Sequence, residues 1–287
     1  MGYIFFTIVL TACLLYYCFP SDAFRNYLQA TAERMNPQYF LSVEKVSPTF
    51  PPGLALRKTR LSLKTNPDAS LFMADSLVIR PEIWSFLKGR SGYRFNCLAY
   101  GGGINGYVHF SRNSIKAPFS TSLRLKDIHI DNYTAVSSMT GSDIKGIIGG
   151  IIKYSGQYDS YINGTGEAKL TISDGRVELL QPILSFESIG FEDIQMKMSL
   201  KNQKISVTHV ELKGQKVRGS LSGTITLKKD ILKSRLSLRG AIEFLAGPLK
   251  GSKRAVNTIR LLRTRSKNGK LNFIVGGTFT SPRFRFI

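Results

Sequence analysis

The sequence predicts a mainly β protein in which one N-terminal transmembrane helix precedes a large curved antiparallel sheet with a few short helices. Three observations predict this fold. Residues Tyr3 to Phe19 form one uncharged, overwhelmingly apolar run. After residue 37, apolar and polar residues alternate with a period of two, which is typical of strands with one solvated face. A glycine-containing pattern also recurs within this second region.

The apolar run predicts a membrane anchor over residues 1–20. At about 1.5 Å rise per residue, a helix from Tyr3 to Phe19 reaches roughly 25 Å, the short end of what spans a hydrocarbon core. A cleaved signal peptide normally begins with basic residues, and none precedes this run. Leu10 to Cys13 resembles a lipoprotein cleavage site. A signal peptide, a lipoprotein signal and a buried core helix therefore stay open beside the retained anchor.

Residues 21–37 predict a short juxtamembrane helix. Its apolar residues follow helical spacing: Phe24, Tyr27, Leu28 and Met35. Ser21 or Asp22 is expected to cap its start, and Asn36-Pro37 is expected to end it. We expect this helix to lie along the membrane surface or to pack under the sheet.

Residues 38–287 predict a single β-rich domain. In Ser220 to Leu227, every second residue is apolar or glycine and the residues between them are small and polar. The same alternation occurs in several other segments: Arg60 to Leu63, Ser122 to Lys126, Lys169 to Ile172, Arg235 to Arg239 and Asn272 to Val275. The sequence interrupts it with three helical segments: Pro81 to Leu87, Asn132 to Met139 and Leu249 to Arg265.

An internal repeat of the form G-x-φ-x-G-x-φ-x-φ, where φ is apolar, occurs at residues 102–110, 146–154 and 219–227. Because strand side chains alternate, the glycines and the apolar residues of each copy share one face. These apolar residues are the candidate groove-lining set: Ile104, Val108, Ile148, Ile152, Leu221, Ile225 and Leu227. Glycine allows a bend or a close backbone approach. The pattern fits a curved sheet with an apolar concave groove and ordinary bulges over a packed core equally well.

The charge balance indicates an acidic partner. The chain carries 40 basic and 19 acidic residues, a net charge of +21, so anionic lipid, acidic protein and nucleic acid all qualify. No acidic residue follows Glu243. The candidate patch for an anionic membrane or a partner comprises Lys250, Lys253, Arg254, Arg260, Arg263, Arg265, Lys267 and Lys270. Much of it lies on the predicted basic amphipathic helix, which either rests on a bilayer or caps the sheet. Nucleic acid is not an expected partner, because a chain anchored outside the cytoplasm does not meet it.

The sequence offers no convincing catalytic, metal or cofactor site. Gly101 to Gly106 matches a dinucleotide-binding pattern, but a strand pattern follows it where such a site requires a helix. His109, His129 and His209 are far apart, and Cys97 is the one cysteine after the apolar run. An enzyme of the envelope-hydrolase class is therefore the third-ranked hypothesis, and we expect no cofactor and no metal.

Several short segments carry a family resemblance through their order along the chain. They are Phe19-Pro20, Pro52 to Leu56, Leu77 to Pro81, Gly101 to Gly106, Ser173 to Val177 and Gly276 to Phe284. In this order the sequence resembles the GspN family of type II secretion systems. Its closing G-x-φ-x-x-P pattern and amphipathic strands are similar to the wider AsmA-like group. The resemblance covers nearly the whole chain and rests on order and pattern.

The resemblance implies a single-pass inner-membrane protein whose residues 38–287 lie in the periplasm. It implies a non-enzymatic accessory or scaffold component of type II protein secretion, with secretion-machinery proteins and the inner membrane as partners. AsmA-like relatives are associated with lipid transport through apolar grooves. The alternative is therefore a lipid-binding or lipid-transfer protein of the cell envelope, with phospholipid as its partner.

Overall fold

The structure is a computed structural model that describes residues 2–64, 66–114, 116–132, 143–183, 186–215, 217–245 and 270–287. Its α-helices are α1 (Gly2–Tyr17), α2 (Ser21–Met35) and α3 (Ile83–Leu87). Its strands are β1 (Tyr39–Thr49), β2 (Gly53–Leu63), β3 (Asn66–Pro81), β4 (Ser91–Ala99), β5 (Gly102–Phe110), β6 (Phe119–His129), β7 (Ile144–Gly156), β8 (Thr165–Ile183), β9 (Phe186–Lys201), β10 (Lys204–Lys213), β11 (Val217–Thr226), β12 (Arg235–Phe244), β13 (Lys270–Thr278) and β14 (Pro282–Phe286). Short 3-10 helices occur at Ile130–Asn132, Tyr158–Asn163 and Ile231–Lys233.

All fourteen strands belong to one open antiparallel sheet, and their order in the sheet is their order in the sequence. Each connection therefore joins neighbouring strands, which antiparallel pairing allows with short turns. The prediction of a mainly β fold with few helices is confirmed.

Helix α1 has 16 residues and carries no charged side chain. Among the described residues, no helix combines the length and the apolar character that crossing a membrane requires. The anchor over residues 1–20 stays a prediction.

Helix α2 packs on the first strands. Leu28, together with Phe19 from the preceding linker, contacts the buried cluster of Val43, Val46 and Leu56. The residue that caps the helix start is Pro20, so the prediction of a Ser21 or Asp22 cap is wrong. The Ser21 hydroxyl instead donates to the carbonyl oxygen of Val46 at 2.6 Å, which ties the start of α2 to β1. The predicted end at Asn36 is confirmed.

The other helix predictions differ in outcome. The segment Pro81 to Leu87 contains α3, as predicted. The segment Asn132 to Met139 has only its first residue in the described structure, as the end of a 3-10 helix. The segment Leu249 to Arg265 lies outside the described residues.

The strands depart from regular pairing at several places. Register shifts occur between Leu125 and Ile128 in β6 and between Val207 and Val210 in β10. Such irregularities bend a strand and increase its local twist. They supply bends of the kind that a curved sheet requires.

Candidate functional site

Cross-strand pairing joins one residue from each of the fourteen strands into a continuous apolar row, which we call the central row. It runs Val46, Leu56, Leu77, Cys97, Ile104, Leu125, Gly150, Leu170, Met196, Val210, Leu221, Gly240, Phe273 and Phe286. Every member is apolar or glycine. At about 4.8 Å per strand spacing, the row extends for roughly 60 Å.

A second row lies beside it on the same face and again takes one residue from each strand. It runs Pro48, Leu54, Ile79, Phe95, Gly106, Leu123, Ile152, Ala168, Met198, Val207, Gly223, Leu238, Val275 and Phe284. We call the surface formed by both rows the apolar face. The opposite face is polar, as in the paired series Arg94, Tyr107, Ser122, Lys153, Glu167, Ser199, Ser206, Thr224 and Ser237.

The apolar face is covered at its N-terminal end and partly open along the central row from β5 to β12, although Val207 and Leu238 of the second row are buried. The two clusters of buried hydrophobic residues within the described ranges centre on Val43 and on Cys97, in β1 to β4. From Ile104 to Gly240, every member of the central row is half-buried. A sheet face normally packs against a second layer. In the described part of the chain, α2 is the helix that packs on this face, and it does so at the first strands.

The structure brings most of the predicted groove-lining residues together. Ile104, Val108, Ile148, Ile152, Leu221 and Ile225 all lie on the apolar face, although they come from three repeats spread over more than a hundred residues. Leu227 lies one residue beyond the end of β11, where its backbone N–H donates to the carbonyl oxygen of Gln203 at 2.6 Å. It therefore borders the face.

The candidate basic patch lies almost entirely outside the described residues. The members outside them are Lys250, Lys253, Arg254, Arg260, Arg263, Arg265 and Lys267. Lys270 is the first residue of β13 and is exposed.

Three glycines of the sheet are paired with aromatic rings across the strands. Phe95 pairs with Gly106, Phe191 with Gly175, and Phe273 with Gly240. In each pair the ring occupies the space that a Cβ on the glycine would need. Such cross-strand covering compensates for the missing side chain. The absence of a side chain at each glycine therefore leaves space for the aromatic ring of the paired residue.

An aromatic series runs along the edge of the apolar face from α3 to β7. Ring centroids are 5.8 Å apart for Phe86–Tyr93, 6.4 Å for Tyr93–Phe110, 5.9 Å for Phe110–Phe119 and 5.6 Å for Phe119–Tyr154. An open cleft of about 600 Å³ lies beside Phe110 and Phe119, with Arg90 and His109 in its lining. Apolar rings thus lie beside the basic side chain of Arg90 at this edge.

One acidic side chain near this edge is held ionised. Arg94 Nε donates to Glu82 Oε1 at 2.6 Å, and His109 Nε2 lies 2.9 Å from Glu82 Oε2. The hydrogen bond with His109 lowers the pKa of Glu82, and the bond from Arg94 adds to this effect against the opposing effect of burial. These contacts fix the residue that precedes α3 to β4 and β5.

The Cys97 thiol is a packing group in the central row. It is 3% exposed, and its burial raises its pKa to about 11, with the negative charge of Asp75 adding to the shift. Since the thiolate is the reactive form of cysteine, the folded chain holds Cys97 in its unreactive form near neutral pH.

We expect Cys97 to resist iodoacetamide in the folded full-length chain at neutral pH. The same residue in the chain unfolded in urea serves as the control and should react readily. Peptide mapping by mass spectrometry reads both states. Rapid alkylation of Cys97 before unfolding would contradict the burial of this residue.

Within the described residues, no three His, Cys, Asp or Glu side chains gather in a way that could hold a metal ion. The absence of an enzymatic activity stays a prediction.

Sequence reasoning missed several parts of the candidate site. The aromatic series and the Glu82 cluster join residues from α3 through β7, and no local pattern reveals which strands lie side by side. The signal for the two rows was present as alternation in each strand, but the alignment of the rows across the sheet depends on the register of every strand pair.

A comparison of this chain with protein-family models, curated proteins and solved structures finds no match.

Proposed function

We propose that this protein is a non-enzymatic lipid-binding protein of the bacterial cell envelope, which holds the acyl chains of phospholipids on its apolar face. One observation carries the proposal: the two apolar rows continue across all fourteen strands, and every member of the central row from β5 to β12 is half-buried although α2 covers only the first strands. A sheet that exposes such a continuous apolar surface needs an apolar cover.

The dimensions favour acyl chains as that cover. The half-buried stretch of the central row from β5 to β12 extends for roughly 34 Å, whereas the acyl layer of one bilayer leaflet is about half of a 30 Å hydrocarbon core. This stretch therefore offers room for about two chains placed end to end. Its members are mostly aliphatic side chains and methionines, which adapt to flexible apolar ligands.

The charge of the chain supports phospholipid over neutral lipid. A net charge of +21 attracts anionic headgroups, which stay in water while their chains occupy the apolar face. Arg90, which is exposed at the aromatic edge, supplies a basic group beside apolar rings. We further propose that α1 holds the protein at the inner membrane as a single-pass anchor, with residues 38–287 in the periplasm.

Photo-crosslinking in cells tests the lipid proposal. A photoreactive amino acid placed at Leu221 or Ile225 of the full-length chain should capture phospholipid, which mass spectrometry of the adduct identifies. Placement at Ser222 or Thr224 supplies the matched control, because these neighbours in β11 lie on the polar face. Equal lipid capture on both faces, or none at Leu221 and Ile225, would refute the proposal.

A second candidate function is an accessory or scaffold role in type II protein secretion. The observation that favours it is the ordered set of segments from Phe19-Pro20 to Gly276–Phe284 that resembles the GspN family. Affinity purification of the full-length chain after crosslinking in cells tests this role. Recovery of secretion-machinery proteins from probes at Ser222 or Thr224 would support it, and it is compatible with lipid on the apolar face.

A further inference from the structure

The connection between β3 and β4 exposes an unusual group of apolar side chains. Within α3, Trp84 is 78% exposed, Leu87 is 74% exposed and Ile83 is 59% exposed. Phe50, in the turn between β1 and β2 on the same edge of the sheet, is 90% exposed. We call these four residues the α3 patch. Exposed apolar groups of this size mark an interaction surface.

The position of α3 is fixed even though its side chains are exposed. Glu82, immediately before the helix, bonds to Arg94 and His109, and the Phe86 ring contacts Tyr93 at 5.8 Å. The helix is therefore held with Phe86 toward the sheet and with Ile83, Trp84 and Leu87 toward solvent. These contacts hold the exposed side chains of α3 in a defined position relative to the sheet.

Basic residues surround the patch. The three neighbouring turns on this edge, residues 50–52, 82–90 and 111–118, contain Lys88, Arg90, Arg112 and Lys116 and one acid, Glu82. Glu82 is already paired, so the exposed charges of these turns are positive. Tryptophan and phenylalanine beside lysine and arginine match the interface of an anionic bilayer, where rings enter the headgroup level and cations meet lipid phosphates.

The segment that follows helix α1 reaches the sheet near the same edge. Ser21, four residues after the end of α1, bonds to the carbonyl oxygen of Val46, which is three residues before the end of β1. The patch lies only two to three strands away, roughly 10–15 Å along the sheet. Among the described connection residues at the opposite edge, Tyr100 is half-buried and Ile130 is buried.

We infer that the α3 patch docks onto the surface of an anionic phospholipid bilayer. This inference rests on the proposed membrane association but not on acyl-chain binding by the sheet. Docking there connects the bilayer to the apolar face, because the aromatic series begins at Phe86 of α3 and continues through Tyr93 to Tyr154.

Trp84 is the one tryptophan of the chain, so its fluorescence tests the inference without a substitution. The full-length protein is reconstituted into phosphatidylcholine–phosphatidylglycerol vesicles with or without brominated acyl chains. We expect the Trp84 emission to shift to shorter wavelength, to be quenched by the brominated lipid and to be protected from aqueous acrylamide.

The matched control is the double variant Trp84→Phe, Phe279→Trp. Phe279 lies in the last turn of the same edge, is 44% exposed and is separated from α3 by ten strands, β4 to β13. Its tryptophan should stay open to acrylamide and be unaffected by bromine. Replacement of phosphatidylglycerol by phosphatidylcholine should weaken the quenching of Trp84, since the basic residues lose their anionic partners.

The inference would be overturned if Trp84 were quenched by acrylamide and by brominated lipid to the same extent as the tryptophan of the control variant. Quenching of Trp84 by brominated lipid that does not depend on the anionic lipid would also overturn it. If Trp84 stays exposed to water in the presence of vesicles, the α3 patch would instead be assigned to a protein partner. Failure here is distinguishable from failure of the lipid proposal, because the probes at Leu221 and Ile225 report on the apolar face independently of the patch.

Discussion

Replacing Gly150 with alanine is expected to destabilise the sheet by about 2–5 kcal/mol, whereas the same change at Gly149 is expected to change stability by less than about 0.5 kcal/mol. The two glycines are neighbours in β7 and lie on opposite faces. Gly150 belongs to the central row, where it pairs with Leu125 and Leu170.

Two physical costs add at Gly150. Its φ of +140° is a conformation that residues with a Cβ rarely adopt, and holding alanine there costs on the order of 1–3 kcal/mol. The new methyl group would also press on the carbonyl oxygen of Lys169 and lie 2.9 Å from Leu170 Cα. Backbone on the paired strand cannot move aside as a flexible side chain can, so overpacking contributes about 1–2 kcal/mol more.

Gly149 meets neither cost. The nearest atom to a Cβ at that position is the carbonyl oxygen of Leu125 at 3.8 Å, an ordinary contact distance. Urea unfolding followed by far-ultraviolet circular dichroism measures both variants in the full-length chain. Equal midpoints for the two alanine variants would contradict the backbone geometry of β7.

Gly223 provides an independent repetition of this comparison. It occupies the equivalent place in the third repeat, with φ of +139° and the carbonyl oxygen of Ser237 in the way of a Cβ. The repeat thus predicted from sequence that these glycines share a face with the apolar residues. It did not predict that the glycines in the middle of the second and third copies, Gly150 and Gly223, adopt positive φ. That property depends on how closely the paired strand approaches, which the sequence of one strand does not contain.

Local patterns and pairwise register explain what the sequence could and could not predict. Period-two alternation identified the strand character of segments such as Arg60 to Leu63, because successive side chains of one strand point alternately to the apolar and to the polar face of the sheet. Helix α2 followed from its apolar spacing, but its start did not, since Ser21 bonds to Val46 instead of capping the helix. The aromatic series from Phe86 to Tyr154 was not predicted, because its members come from different strands and meet only in the folded sheet.

The sequence alone did not distinguish the groove interpretation of the repeat from the packed-core interpretation. They differ in what covers the apolar face, and the half-burial of the central row from Ile104 to Gly240 favours the open groove. The burial of Val46 beneath α2 shows what a covered part of the same face looks like. The contrast between the covered first strands and the half-buried stretch from β5 to β12 is therefore the physical basis for assigning a ligand to that stretch.

Introducing a charge into that open part is expected to remove most of the bound lipid. In the Leu221→Asp variant of the full-length chain, co-purified phospholipid should fall by about tenfold or more, which corresponds to at least about 1.4 kcal/mol per bound chain. Leu221 lies in the central row between Val210 and Gly240, so a carboxylate there faces the acyl chain directly. An unpaired carboxylate buried against hydrocarbon costs several kcal/mol, and a carboxylate that keeps its water excludes the chain instead.

The neighbouring variant Ser222→Asp separates this effect from a general effect of charge. It adds the same carboxylate to the same strand on the polar face, where Ser222 is exposed and pairs with Arg239. Its phospholipid content should stay at the wild-type level, and the content measured by native mass spectrometry gives both values directly. Because Leu221 is half-buried, its replacement also weakens packing, so the urea midpoint of each variant has to be measured alongside. A folded Leu221→Asp chain that keeps its lipid would show that the ligand lies elsewhere, whereas loss of lipid from both variants would assign the effect to net charge and not to the apolar face.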